Sequence, residues 1–147
     1  MKTNIVSSIT TTFAIAAFLA ATPLPFAPAA MAQERSEIRF AAGNDNGAAS
    51  GSITGQGYHD HIVGARQGQS MAVALSADSS TGNGTVYFNI LPPGSDGVAI
   101  FNSSTSDNNY GEVTLPDSGD YTIRVYHMGN DEDAGATTSY TLSVTIM

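Results

Sequence analysis

LPDSGDYTIRVY, residues Leu115–Tyr126, decides the fold class. Tyr121, Ile123 and Val125 alternate with Thr122 and Arg124. That period of two belongs to a strand with one face buried and one face wet. Pro116-Asp117-Ser118-Gly119 just before it is turn chemistry. A tyrosine placed just after such a turn reads as a tyrosine corner, where a phenol hydroxyl bonds back to upstream backbone as the chain crosses between two sheets. The stretch therefore predicts a Greek-key crossing in an antiparallel β-sandwich.

The same alternation spreads outward from it. Tyr140, Leu142, Val144 and Ile146 make the last strand, with Thr141, Ser143 and Thr145 on its other face. Upstream, strands are expected at Ile38–Ala41, weakly around Ser52–Thr54, and at Tyr58–Ala65, Met71–Ala77, Val86–Ile90 and Val98–Phe101, then around Val113 and Leu115. A helical period is found only at Ala14–Ala21. About eight short strands with turns between them specify an all-β, Greek-key sandwich.

The first residues follow a different rule. Lys2, the apolar run Phe13–Ala21 and the small-residue site Ala30-Met31-Ala32 have the order of a Sec signal peptide. The expected division is a signal peptide at 1–32 and a single β-sandwich domain at 33–147, periplasmic or secreted and free of the membrane after cleavage. The chain has no cysteine, so an exported domain must be held by sheet pairing and core packing instead of disulfides. The whole chain carries a formal charge of −8. Lys2 leaves with the signal, and Arg35, Arg39, Arg66 and Arg124 then face thirteen carboxylates, making the domain one unit more negative. Such a surface repels nucleic acid and favours a basic protein partner.

Three segments, and the question of a catalytic motif, bear on chemistry. His59-Asp60-His61 puts two imidazoles on one strand face, where they could chelate a metal with His127 or simply face solvent, with Asp60 pointing inward. Asn130-Asp131-Glu132-Asp133, between Gly129 and Gly135, is either a solvated acidic loop or a calcium loop holding the ion through Asp131, Glu132 and Asp133. Serines and histidines are plentiful, but none lies in a G-x-S-x-G elbow, so no enzyme and no cofactor are expected. Pro92-Pro93-Gly94-Ser95 joins two strands through a stiff backbone. A loop that is rigid before binding loses little entropy on docking, which suits a partner contact.

Tyr87–Phe101 (YFNILPPGSDGVAIF), Thr114–Tyr126 (TLPDSGDYTIRVY) and Tyr140–Val144 (YTLSV) together resemble the periplasmic inhibitors of g-type (goose-type) lysozyme. Gly57–Leu75 fits the same pattern, and the likeness runs through nearly all of the chain after the signal. The last two blocks also recur in pre-peptidase C-terminal-like β-sandwich modules. The resemblance implies a sandwich that binds a g-type lysozyme, occludes its cleft and protects peptidoglycan; a monomer or weak homodimer is expected. The resemblance also implies contacts through Tyr58 and the loop that holds Asn130, Asp131 and Asp133, and the stiff turn Pro92, Pro93, Gly94 and Ser95 is expected to join them. Arginines are expected on the loop after RVY-x-M, and here Gly129 and Asp133 stand at those positions. The alternative is a non-catalytic binding module for a wall component or protein, assisted by calcium at Asp131–Asp133.

Overall fold

The Tyr121 side chain is fully buried, and its hydroxyl donates to the Asp117 carbonyl at 2.7 Å while accepting from the Asp117 N–H at 3.1 Å. The corner read from the sequence is thus present. It launches β8 (Gly119–His127), the middle strand of a five-stranded sheet. The computed structural model describes residues 33–147, and the signal peptide read at 1–32 lies outside them.

The first sheet runs β1 (Gln33–Glu37), β3 (Tyr58–Ala65), β8, β5 (Val86–Leu91), β6 (Phe101–Asn102). The second runs β2 (Asn46–Thr54), β9 (Thr137–Ile146), β4 (Ser70–Ser80), β7 (Tyr110–Thr114). Neighbours are antiparallel except β1 and β3, which are parallel. The expected all-β sandwich is the observed one.

Its core lies between the sheets. Val63, Phe88, Ile90, Tyr121, Ile123 and Val125 come from the first sheet. Met71, Val73, Leu75, Tyr140, Leu142, Val144 and Ile146 meet them from the second. Each such side chain contributes roughly 1.5–3 kcal/mol on full burial, and without cysteines this packing carries the stability.

Four local expectations change. The opening strand is Gln33–Glu37 and not Ile38–Ala41, although Ile38 still bonds to the Ile62 carbonyl at 2.8 Å and enters the core. A polar edge strand, QERSE, has no apolar alternation to announce it. The weak strand at Ser52–Thr54 extends back to Asn46. Its Gly51 is required by close approach, because a Cβ there would overlap the Tyr140 hydroxyl and stand 2.8 Å from His59 Nδ1. Finally, the strand expected over Val98–Phe101 shrinks to Phe101–Asn102, and a single helical turn, α1 (Asn130–Asp133), occupies the acidic loop. Four residues are too few to display a helical period.

Candidate binding surface

The strand β3 has two faces of opposite character. Tyr58, Asp60 and Ile62 lie on the outer side of the sandwich, and His59, His61 and Val63 lie on the inner side. Register places Arg124 of β8 opposite Asp60. The guanidinium grips that carboxylate twice, Nε to Oδ1 at 2.7 Å and Nη2 to Oδ2 at 2.9 Å. Asp60 is therefore buried on the outer face beneath an arginine, not inward as its sequence position suggested. The hydrogen bonds to Asp60 raise the Arg124 pKa further above its ordinary value. The same guanidinium sits 4.2 Å above the Tyr58 ring, a cation–π contact.

Arg124 has a third partner. Its Nη1 donates to the Asp96 carbonyl at 3.2 Å. That carbonyl belongs to the loop after β5, so one side chain joins Tyr58 to the proline loop. The loop is itself a tight turn. Ser95 N–H donates to the Pro92 carbonyl at 3.1 Å, Pro93 is the first central residue and Gly94 has φ +78°. Proline followed by a positive-φ glycine is the type II arrangement. Ser95 Oγ then closes the tip, donating to the Val98 carbonyl at 2.8 Å and accepting from its N–H at 3.0 Å. Val98 and Ile100 are left exposed beside the turn. Next to Arg124, Tyr126 extends the outer face, its hydroxyl shared between Asn89 and Asn102 at 3.2 and 3.3 Å.

The acidic loop lies elsewhere. It follows His127, which pairs with Val86 at one end of β5, whereas the proline turn follows Leu91, which pairs with Thr122 at the other end. Five strand positions separate those ends, roughly 17 Å at about 3.3 Å per residue. Within the acidic loop, Asp131 is buried and points inward. Its carboxylate accepts from the N–H groups of Asn83 (2.9 Å) and Thr85 (2.9 Å), and from Asn83 Nδ2 and Thr85 Oγ1. The backbone donors of Asn83 and Thr85 lower its pKa to about 2. Asp131 is thus an internal tie and is not free for a partner or for calcium. Asn130 and Asp133 are exposed and Glu132 is half-buried. Among the described residues no group of three or more ligand-type side chains converges in a metal-holding arrangement.

The histidines are a second correction. They do not face solvent; His59, His61 and His127 are all buried. His127 bonds to Thr138 Oγ1 at 2.8 Å and to the Gly55 carbonyl at 3.2 Å, apart from the other two. His59 and His61 stack with ring centroids 4.0 Å apart. Ser36 Oγ lies between them, 3.0 Å from His59 Nε2 and 2.8 Å from His61 Nδ1. Glu34, His59 and Ser36 follow the order of an acid–base–nucleophile triad, but both imidazoles occupy the hydroxyl and hold it as a structural link. Arg124, Ser36 and Tyr140 were not singled out from sequence. Arg124 alone left a trace, as a cation alternating with buried Ile123 and Val125.

No family model matches the chain. It is 29% identical over 109 residues, 74% of this chain and 78% of the relative, to an inhibitor of g-type lysozyme from Escherichia coli (strain K12). The crystal structure of Aeromonas hydrophila PliG, a periplasmic lysozyme inhibitor of g-type lysozyme, superposes with a TM-score of 0.68 at 27% identity, covering 79% of this chain and 100% of that one. Salmonella Typhimurium PliG gives 0.60 at 26%, over 78% and 98%. A pre-peptidase C-terminal domain of a Bacillus anthracis collagenase gives 0.53 at 14% identity, over 81% and 100%, which is a likeness of fold alone. In both sequence and fold, the chain resembles the periplasmic inhibitors of g-type lysozyme.

Proposed function

We propose that this protein is a periplasmic inhibitor of g-type lysozyme, without catalysis of its own. The similarity running through 78% of the Escherichia coli inhibitor carries the reading, together with superposition on the whole PliG chain of Aeromonas hydrophila. Its partner is a lysozyme, and its effect is to keep that enzyme from peptidoglycan. The net negative charge of the chain attracts a basic enzyme at long range.

For the contact surface we take the outer face around Tyr58 and the turn Pro92–Ser95, with Asn130 and Asp133 at the far end. Arg124 supports this choice, because it fixes Tyr58 and the loop in one rigid arrangement before any partner arrives. Preorganisation of that kind lowers the entropy lost on docking. Asp131 is set aside from the contacts, since its oxygens are taken by Asn83 and Thr85. The exposed carboxylate of Asp133 stands where the resemblance implies an arginine. It disfavours insertion into a cleft lined by catalytic carboxylates, so the weight of binding falls on Tyr58 and the proline turn.

A lysis assay with purified g-type lysozyme tests the reading. Slowing at stoichiometric amounts of inhibitor is the expected result. Unchanged lysis at large excess of this protein would defeat it.

A further inference from the structure

The inner face of β3 carries a chain of polar groups that the binding surface does not use. Among the described residues, His59 Nδ1 is the one buried side-chain nitrogen or oxygen without a hydrogen-bond partner. Glu34 Oε2 stands 3.5 Å from it. From there the groups run in series: His59 Nε2 to Ser36 Oγ at 3.0 Å, Ser36 Oγ to His61 Nδ1 at 2.8 Å, and His61 Nε2 to the Tyr140 hydroxyl at 2.7 Å. The series crosses from the edge strand β1, through β3, to β9 of the opposite sheet.

Its direction follows from elementary bonding. Burial raises the Tyr140 pKa, so its hydroxyl keeps the proton. Donating to His61 Nε2, it leaves the His61 proton on Nδ1, where it serves Ser36. The Ser36 O–H then serves His59 Nε2, and the His59 proton sits on Nδ1, facing the Glu34 carboxylate. The reverse order would set a bare nitrogen lone pair against that carboxylate. Each imidazole is neutral in this arrangement, one nitrogen giving and the other receiving.

We propose that Glu34, Ser36, His59, His61 and Tyr140 form an acid-operated latch that holds β1 on β3 at neutral pH and releases it in acid. A charged imidazole donates from both nitrogens, so it cannot keep its receiving place in the series. Two charged rings also cannot remain stacked at 4.0 Å without strong repulsion. The surroundings offer little compensation. β8 sets Val125 and Ile123 opposite the two histidines, and β2 brings Gly51, which has no side chain. The one charge facing the rings is Glu34 on β1, beside His59; Asp60 acts on both from the other face of β3, and together they favour the charged rings less than burial opposes them. Burial, followed by the His59 charge, lowers the His61 pKa from 6.5 to about 4; burial lowers that of His59. Both folded values lie below the unfolded one. The stabilisation is therefore complete above about pH 6.5 and is lost as pH falls toward 4.

β1 is the element that gives way. It is a five-residue edge strand, held on one side only, and Ser36 is its anchor to both histidines. Its release frees an edge of β3, the strand whose outer face carries Tyr58 and Asp60. The inhibitor's grip on its enzyme should then weaken in acid; this last step rests on the function proposed above, whereas the latch does not.

Amide hydrogen exchange across the β1–β3 pairing decides the matter, expressed as protection factors at about pH 7 and about pH 4. Protection of the Ile38 amide and its β1 neighbours should fall tenfold or more, while the β4–β9 amides keep theirs. Unchanged β1 protection at the lower pH overturns the latch, as does a uniform loss across both sheets. Ser36→Ala should show low β1 protection already at pH 7, with no further response to acid; a wild-type response in this variant overturns the clamp. His59→Gln/His61→Gln should remove the acid response, and if that pair does not fold, Ser36→Ala decides alone. Binding to immobilised g-type lysozyme is measured in parallel, with about tenfold weakening expected in acid. Release of β1 without lysozyme binding at either pH would sink the inhibitor reading and leave the latch standing. Undiminished binding with β1 still protected would do the opposite.

Discussion

The two loops at opposite ends of β5 are both stiff, for different reasons. The turn at Pro92–Ser95 is rigid in its covalent chemistry: two proline rings fix φ, and Gly94 takes the positive φ that the turn requires. The loop at Gly129–Gly135 contains no proline and is rigid through one side chain, since Asp131 reaches down to the backbone of Asn83 and Thr85. The first kind of stiffness is local and survives substitutions elsewhere. The second depends on a contact 46 residues away. The exposed residues of the second loop can therefore be exchanged without loss of its shape, which the buried tie keeps.

The comparison can be broken at its strongest point first. Arg124→Ala leaves Asp60 buried without its partner and releases the proline loop, and should cost about 2–4 kcal/mol in denaturant unfolding. Loss of inhibition should exceed what the unfolded fraction explains. A stability equal to wild type would mean that Arg124 is ornamental. Asp131→Ala comes next. It strands the N–H groups of Asn83 and Thr85 and should melt the acidic loop, seen as lost exchange protection at Asn83 and Thr85 with the proline turn unaffected. The Asp131 tie has its own pH window: its pKa is lowered from 3.8 to about 2, so its stabilisation is present above pH 3.8 and is lost as pH falls through 2. The acidic loop should thus remain docked at pH 4, where β1 is released. Gly94→Ala strains a positive φ and should cost about 1 kcal/mol, read as a lower midpoint. Asp133→Arg is the mildest for the fold, within about 0.5 kcal/mol, yet it should tighten inhibition; weaker inhibition would move the contact away from this loop.

Much of this arrangement was legible in the residues. Tyr121 with its preceding turn gave the crossing, and β3 was bounded correctly at Tyr58 and Ala65. Which face of β3 points inward was not legible. Ile62 and Val63 are both apolar, so hydropathy does not choose between the Tyr58 and His59 sides, and the inward side is that of the histidines and not of Asp60. The ion pair of Asp60 with Arg124 spans 64 residues and depends on register, which local pattern does not encode. Composition groups Asp131 with Glu132 and Asp133, although a helical turn sends neighbouring side chains in different directions. Of the segments expected to contribute separately, Tyr58 and Pro92–Ser95 prove to be joined, because Arg124 connects them.

The position of β9 has a consequence for how the molecule comes to exist. Thr137–Ile146 lies between β2 and β4 and joins them, although both were made long before it. A chain emerging from its amino end has only the β4–β7 pair of the second sheet until these residues arrive. Asn46 must then find Thr145, nearly a hundred positions away. Pairings so distant in sequence make folding slow and meanwhile leave β2 unpaired and one edge of β4 open, a template for aggregation. Newly made copies thus pass through an interval in which the fold does not yet keep them apart.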